Sequence, residues 1–127
     1  MAVRSLFPIL LSRDLPRLVS FYEHALHGRV SYRFGSADDD DYVSLAVGEA
    51  TIGIGRDSVA PGAAGGDRVA LWFYVDDVDA AFTRWRHAGG DVVQVPEDMP
   101  WGERVAQVRD PDGNLVNLGA QPASSAD

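Results

Sequence analysis

The sequence predicts an α+β fold of two tandem βαβββ modules, and three observations carry that prediction. The 127 residues read as strand, helix and three strands, and then as the same order again. An aspartate stands before each expected helix, Asp14 and Asp77, where a carboxylate can accept from the free N–H groups of the first turn. Asp14, Leu15, Leu18, Val19 and Tyr22 match Asp77, Val78, Ala81, Phe82 and Trp85 in role at a constant offset of 63, which internal duplication explains. Neither module alone is large enough to bury a sheet. The two are therefore expected to pair into one curved, eight-stranded mixed sheet, with helices on its convex side and a concave side left open. The expected domain is single, with module one over about 3–56, a connector at 57–67, module two over about 68–120 and a frayed tail at 121–127.

The elements follow in order. Ser5–Leu11 is an apolar run with strand character. A helix is expected from Leu15 to about His27, with Pro16 in its first turn, where a missing N–H costs nothing. Leu15, Leu18, Val19, Tyr22 and Leu26 form its apolar face, and Gly28 is the expected stop. Arg29–Phe34, Tyr42–Val47 and Ala50–Gly55 read as strands. The acidic run Asp38–Asp41 is taken as a solvated loop between the first two, and Gly48-Glu49 as a hairpin turn between the others. After the Gly-, Ala- and Pro-rich connector, Val69–Val75 is a strand. A helix with Val78, Ala81, Phe82 and Trp85 on its apolar face follows, closed by Gly89-Gly90. Val92–Val95, Arg104–Arg109 and Asn114–Gly119 complete the second module, with Asp110-Pro111-Asp112-Gly113 as a structural turn.

Composition removes whole classes of chemistry. All 11 basic residues are Arg, and Cys is absent, so disulfides, thiolate nucleophiles, cysteine metal sites and lysine Schiff bases are excluded. A net charge of −8 opposes binding to nucleic acid or anionic membranes and suits a cationic partner. No apolar run reaches the ~18–20 residues of a membrane span, and the N-terminus lacks a signal-peptide pattern; the expected location is cytoplasmic.

Three groups of residues invite a functional reading. In Val69–Val75, Ala70, Trp72 and Tyr74 share one face of the strand, with Val69, Leu71, Phe73 and Val75 on the other. The aromatic face suits a wall for flat ligands, the alternative being filled core or a dimer interface. His24, His27 and His87 lie near helix C-termini, where imidazolium complements the macrodipole, and they read as structural rather than metal-binding. Gly53 and Gly55 fall in a strand pattern, which argues against a phosphate cradle.

The chain resembles the vicinal-oxygen-chelate superfamily, which holds glyoxalases, extradiol dioxygenases, fosfomycin-modifying enzymes and bleomycin-resistance proteins. The carriers are Arg13-Asp14-Leu15 with Phe21-Tyr22, Val75-Asp76-Asp77-Val78, and Pro100-Trp101-Gly102-Glu103-Arg104 leading to Arg109-Asp110-Pro111-Asp112-Gly113-Asn114. The likeness spans residues from about 5 to 120. It implies a cavity that in the superfamily's enzymes holds a divalent metal through His or Glu side chains. The corresponding positions here are Phe7, Ala70 and Asn117, with nothing suitable at Thr51–Ile54, so no metal and no other cofactor is expected.

The bleomycin-resistance branch is the nearest match. Pro8 falls at that branch's first-strand proline, associated with exchange of the N-terminal strand between subunits. The resemblance implies a homodimer that binds a small molecule, cationic or aromatic, in its clefts. An antibiotic of the bleomycin type is the expected ligand, sequestered without being altered, with antibiotic resistance as the role. Phe7, Trp72, Tyr74, Trp101, Arg104 and Asn117 are the candidate ligand contacts. The alternative is a metal-dependent lyase, isomerase or dioxygenase of the same superfamily.

Overall fold

A computed structural model describes residues 4–36, 39–58 and 69–121. The chain divides into two compact units, Met1–Ala60 and Pro61–Asp127. The first contains β1 (Ile9–Ser12), α1 (Leu15–Ala25), β2 (Arg29–Ser36), β3 (Asp39–Val47) and β4 (Ala50–Arg56). The second contains β5 (Ala70–Tyr74), α2 (Val78–His87), β6 (Asp91–Asp98), β7 (Arg104–Arg109) and β8 (Leu115–Ala120). Each unit is thus a βαβββ module, as the repeat predicts, and the eight strands form two four-stranded mixed sheets. Their orders correspond, β1-β4-β3-β2 and β5-β8-β7-β6, with the first strand of each module parallel to its last.

The register preserves the duplication residue by residue. Val43 pairs with Ile54 in the first sheet and Ala106 with Leu118 in the second, so the last strand is displaced by one residue relative to the rest of the repeat. The turn before it supplies that residue. Val47 and Ala50 are separated by Gly48-Glu49, whereas Asp110 and Asn114 are separated by three residues. The longer turn is held by buried Asp110, which accepts from the Asp112 and Asn114 amides at 3.0 Å each and from Asn114 Nδ2 at 2.8 Å. Gly113, at φ 88°, occupies the left-handed conformation that the turn requires.

Both helices begin as predicted. Asp14 accepts from the Arg17 amide at 3.2 Å and Asp77 from the Ala80 amide at 3.1 Å. One face of α1, with Leu15, Leu18 and Tyr22, is fully buried, as are Val43, Leu45 and Ile54 of the sheet it covers. In the second unit α2 buries Val78, Phe82 and Trp85, and the sheet contributes Ala106, Val108, Val116 and Leu118. Trp85, the repeat partner of Tyr22, donates its indole N–H to the Arg109 carbonyl at 2.8 Å, so its one polar atom is satisfied within the core.

The main departures from the sequence reading fall at four places. The first strand begins at Ile9 rather than Ser5; upstream, the Pro8 carbonyl joins the ladder, accepting from Gly53 N–H at 2.9 Å. Helix α1 ends at Ala25, and His27 rather than Gly28 takes the left-handed conformation, φ 59°, with Gly28 N–H closing onto the Tyr22 carbonyl at 3.0 Å. Asp39–Asp41 open β3 instead of forming a loop: Asp39 and Asp40 pair with Ser36 and Gly35 of β2, Arg33 pairs with Asp40, and Arg56 pairs with Asp39 at 2.6 Å and binds the Asp40 carbonyl at 2.7 Å. Strand β6 runs on to Asp98 through two irregularities and through Pro96, which its edge position tolerates. The expected connector and tail, apart from 57, 58 and 121, lie outside the described residues, as does Asp38.

Candidate functional site

The second sheet has one face under α2 and one face without a helix, and the candidate residues collect on the latter. Strand alternation puts Trp72 and Tyr74 on that face, and pairing sets Trp72 beside Asn117 and Tyr74 beside Gly119. Gln107 opposite Asn117 and Val105 opposite Gly119 continue the same surface across β7. Gly119 is where the indole sits. A Cβ there would lie 2.7 Å from Trp72 Cζ2 and 3.0 Å from its Nε1, so the ring rests on bare backbone. The Trp72 and Tyr74 rings are 5.8 Å apart at 61°, an edge-to-face pair with 42% and 56% of the residues exposed.

Trp101 joins this pair through a residue the sequence reading did not select. A turn at 99–103, closed by Met99 N–H to the Glu103 carbonyl at 2.7 Å, carries Trp101 at its tip, 61% exposed. The Trp101 indole N–H donates to Glu103 Oε1 at 2.7 Å, and the Tyr74 hydroxyl donates to Glu103 Oε2 at 2.8 Å. One carboxylate therefore ties two aromatic side chains into a single cluster. The Tyr74 phenol is pushed above its ordinary pKa, first by that hydrogen bond, then by burial and by the negative charge of Glu103. Beside the aromatics, Gln107 Nε2 donates to Asn117 Oδ1 at 3.0 Å, forming a neutral amide pair able to offer both a donor and an acceptor edge.

The other sequence candidates are placed differently. Arg104 is not brought to the aromatic cluster. Alternation along β7 turns it to the α2 side, where it meets Asp79 through Nε at 2.8 Å and Nη2 at 3.0 Å, and Asp98 at 3.1 Å. Those two carboxylates, Asp79 foremost, raise the guanidinium pKa further, and Arg104 in turn lowers that of Asp79. Arg104 thereby braces β7 against the first turn of α2. Phe7 belongs to the first unit, just before β1, and is 47% exposed.

The residues present do not fit the divalent metal of the superfamily's enzymes. Phe7, Ala70 and the residues at 51–54 offer no His or carboxylate, and the Asn117 amide oxygen is already accepting from Gln107. Among the described residues no group of three or more His, Asp or Glu could hold a metal ion. The histidines lie elsewhere: His24 Nδ1 is 2.7 Å from the Ser20 carbonyl on α1, and His27 closes that helix.

The sequence profile of the glyoxalase/bleomycin resistance protein/dioxygenase superfamily matches residues 6–118, and the chain belongs to that superfamily. It is 31% identical over 108 residues to a Mycobacterium bovis protein named "Putative glyoxylase CFP32", a match covering 85% of this chain and 41% of that one. The chain spans about two fifths of the length of the curated relatives it matches. Among solved structures it is similar to TioX from Micromonospora sp. ML1, with TM-score 0.77, 27% identity and coverage of 93% of this chain and 98% of the other. A bleomycin-binding protein solved in complex with bleomycin shares the fold, at TM-score 0.68 and 21% identity, covering 94% and 99% of the two chains. No helix among the described residues is long and apolar enough to cross a membrane.

Proposed function

We propose that this protein binds a small aromatic or cationic molecule without metal and sequesters it unaltered, an antibiotic of the bleomycin type being the leading candidate. The observation that carries the reading is the exposed aromatic cluster of Trp72, Tyr74 and Trp101, on a face whose metal-ligand positions hold Ala70 and Asn117. Stacking on the indole supplies affinity, the amide pair of Gln107 and Asn117 supplies orientation, and the −8 net charge draws a cation toward the surface. Apolar side chains left open on each sheet, Ile9 and Leu11 in one and Trp72 in the other, favour assembly into a cytoplasmic homodimer in which the two modules act as one domain. Titration with bleomycin and with intercalating cationic antibiotics is expected to quench tryptophan fluorescence stoichiometrically with no product formed. Unchanged fluorescence across that panel overturns the antibiotic assignment.

A second reading, a metal-dependent lyase, isomerase or dioxygenase, draws its support from the name of the Mycobacterium bovis relative. Metal analysis of protein purified without chelator separates the two. Stoichiometric Ni, Zn, Fe or Mn would overturn the metal-independent reading.

A further inference from the structure

We infer that Glu103 makes the aromatic cluster selective for an organic cation, an alkylated ammonium or N-alkyl heteroaromatic, over a neutral ring of the same shape. The inference rests on the binding reading above and adds the residue that decides charge preference. Glu103 occupies the position that Asp40 holds in the first module. Asp40 is neutralised locally: its carboxylate pairs with Arg33, and its carbonyl accepts from Arg56. Glu103 is held only by neutral donors, the Tyr74 hydroxyl and the Trp101 indole, and among the described residues it has no cationic partner.

The physical consequence is direct. Two neutral hydrogen bonds stabilise and position a carboxylate but leave its charge in place, and each oxygen keeps a further lone pair. That charge lies at the polar edges of two rings, Tyr74 and Trp101, whose faces attract cations through their quadrupoles. Glu97, opposite Val105 in β6, adds a second carboxylate to the same side of the sheet. A ligand bringing positive charge to Trp72 and Tyr74 gains from both sources; a neutral one gains stacking alone.

The test compares N-methylquinolinium with its neutral isostere 1-methylnaphthalene, binding being followed by calorimetry and by the indole N–H resonances. The unmodified protein is expected to bind the cation about tenfold more tightly, a ratio that falls as salt is added. Glu103→Gln should bring the ratio close to one and weaken the neutral probe far less than the cation. Asp40→Asn should leave the ratio unchanged. Because Gln at position 103 also disturbs the hydrogen bonds to Tyr74 and Trp101, Trp101→Phe serves as the second variant: it removes one of those bonds, keeps the charge, and should keep the preference. Equal binding of both probes by the unmodified protein overturns the charge selectivity while leaving small-molecule binding intact. Equal loss of preference in Trp101→Phe and Glu103→Gln assigns the effect to ring placement and likewise overturns it. Failure of both probes to perturb Trp72 overturns the binding reading itself.

Discussion

Beneath their helices the two modules are nearly interchangeable, whereas on their open faces they are not. Leu15, Val19 and Tyr22 of α1 are buried over a sheet that buries Val43, Leu45 and Ile54, and Val78, Phe82 and Trp85 of α2, at the matching positions, over one that buries Ala106, Val108 and Leu118. On the open side, Ile9 and Leu11 stand where the second module has Trp72 and Tyr74, and Gly53 stands where it has Asn117. Gly55 corresponds to Gly119, and each receives a side chain from the first strand of its module, Leu11 in one and Trp72 in the other. Packing under a helix tolerates little change in volume, so it holds a duplicated pattern in place. An exposed face has no such constraint. The difference sets the two open faces apart: in the second module aromatic rings, an amide pair and a carboxylate with no cationic partner among the described residues gather on a scaffold otherwise shared.

The largest effects are expected where the modules agree. Tyr22→Ala and Trp85→Ala each empty the same fully buried place and should cost about 3–5 kcal/mol in chemical denaturation. A loss in one module several-fold smaller than in the other would break the equivalence. On the open faces the modules should diverge. Trp72→Ala is expected to weaken binding of the cationic probe by tenfold or more, and Ile9→Ala at the matching position by less than threefold. Gly119→Ala belongs with Trp72→Ala: its methyl displaces the indole, so it should reduce affinity while the thermal midpoint moves little, the ring being free to swing outward. Smaller again, Asp14→Ala and Asp77→Ala should each cost about 1 kcal/mol through the lost cap.

Two further effects concern titration. Tyr74 should deprotonate above the ordinary phenol range in an absorbance titration, and Glu103→Gln should bring it down, since its hydrogen bond and charge are the causes of the shift. With its folded-state pKa raised, the contribution of this contact is present below the ordinary tyrosine value and is lost as pH rises through the raised one. Asp79 runs the other way. Its pKa is lowered by Arg104, so that brace is present above the ordinary aspartate value and is lost as pH falls through the lowered one. Asp79→Asn should flatten the acid side of the stability profile and lower the thermal midpoint less than either cap variant.

The parts of the molecule legible in the sequence are those governed by local rules. Capping aspartates, period-2 alternation in Val69–Val75 and the Asp110–Gly113 turn act within a few residues, and they located both modules and the side of β5 on which Trp72 and Tyr74 stand. Three features depended on contacts distant in sequence. Glu103 is not singled out by local pattern because its partner Tyr74 lies 29 residues away, and only the offset that maps it onto Asp40 marks it. The Arg104 bond to Asp79 is invisible locally because its partner lies 25 residues earlier. The acidic run at Asp39–Asp41 has the local composition of a solvated loop, while its ladder partners in β2 and its arginine partners, Arg33 and Arg56, lie outside it.

The three indole N–H groups offer the most direct measurement, because each tryptophan is held differently. Trp72 lies on the open face, Trp101 is tied to Glu103, and Trp85 is tied to the Arg109 carbonyl inside the second unit. In a nitrogen–proton correlation spectrum titrated with N-methylquinolinium, the Trp72 and Trp101 resonances should shift together to saturation at one equivalent per site, with Trp85 unmoved. Saturable binding that leaves Trp72 and Trp101 in place, or that moves Trp85 alone, would contradict the assignment of the ligand site to the open face of the second module.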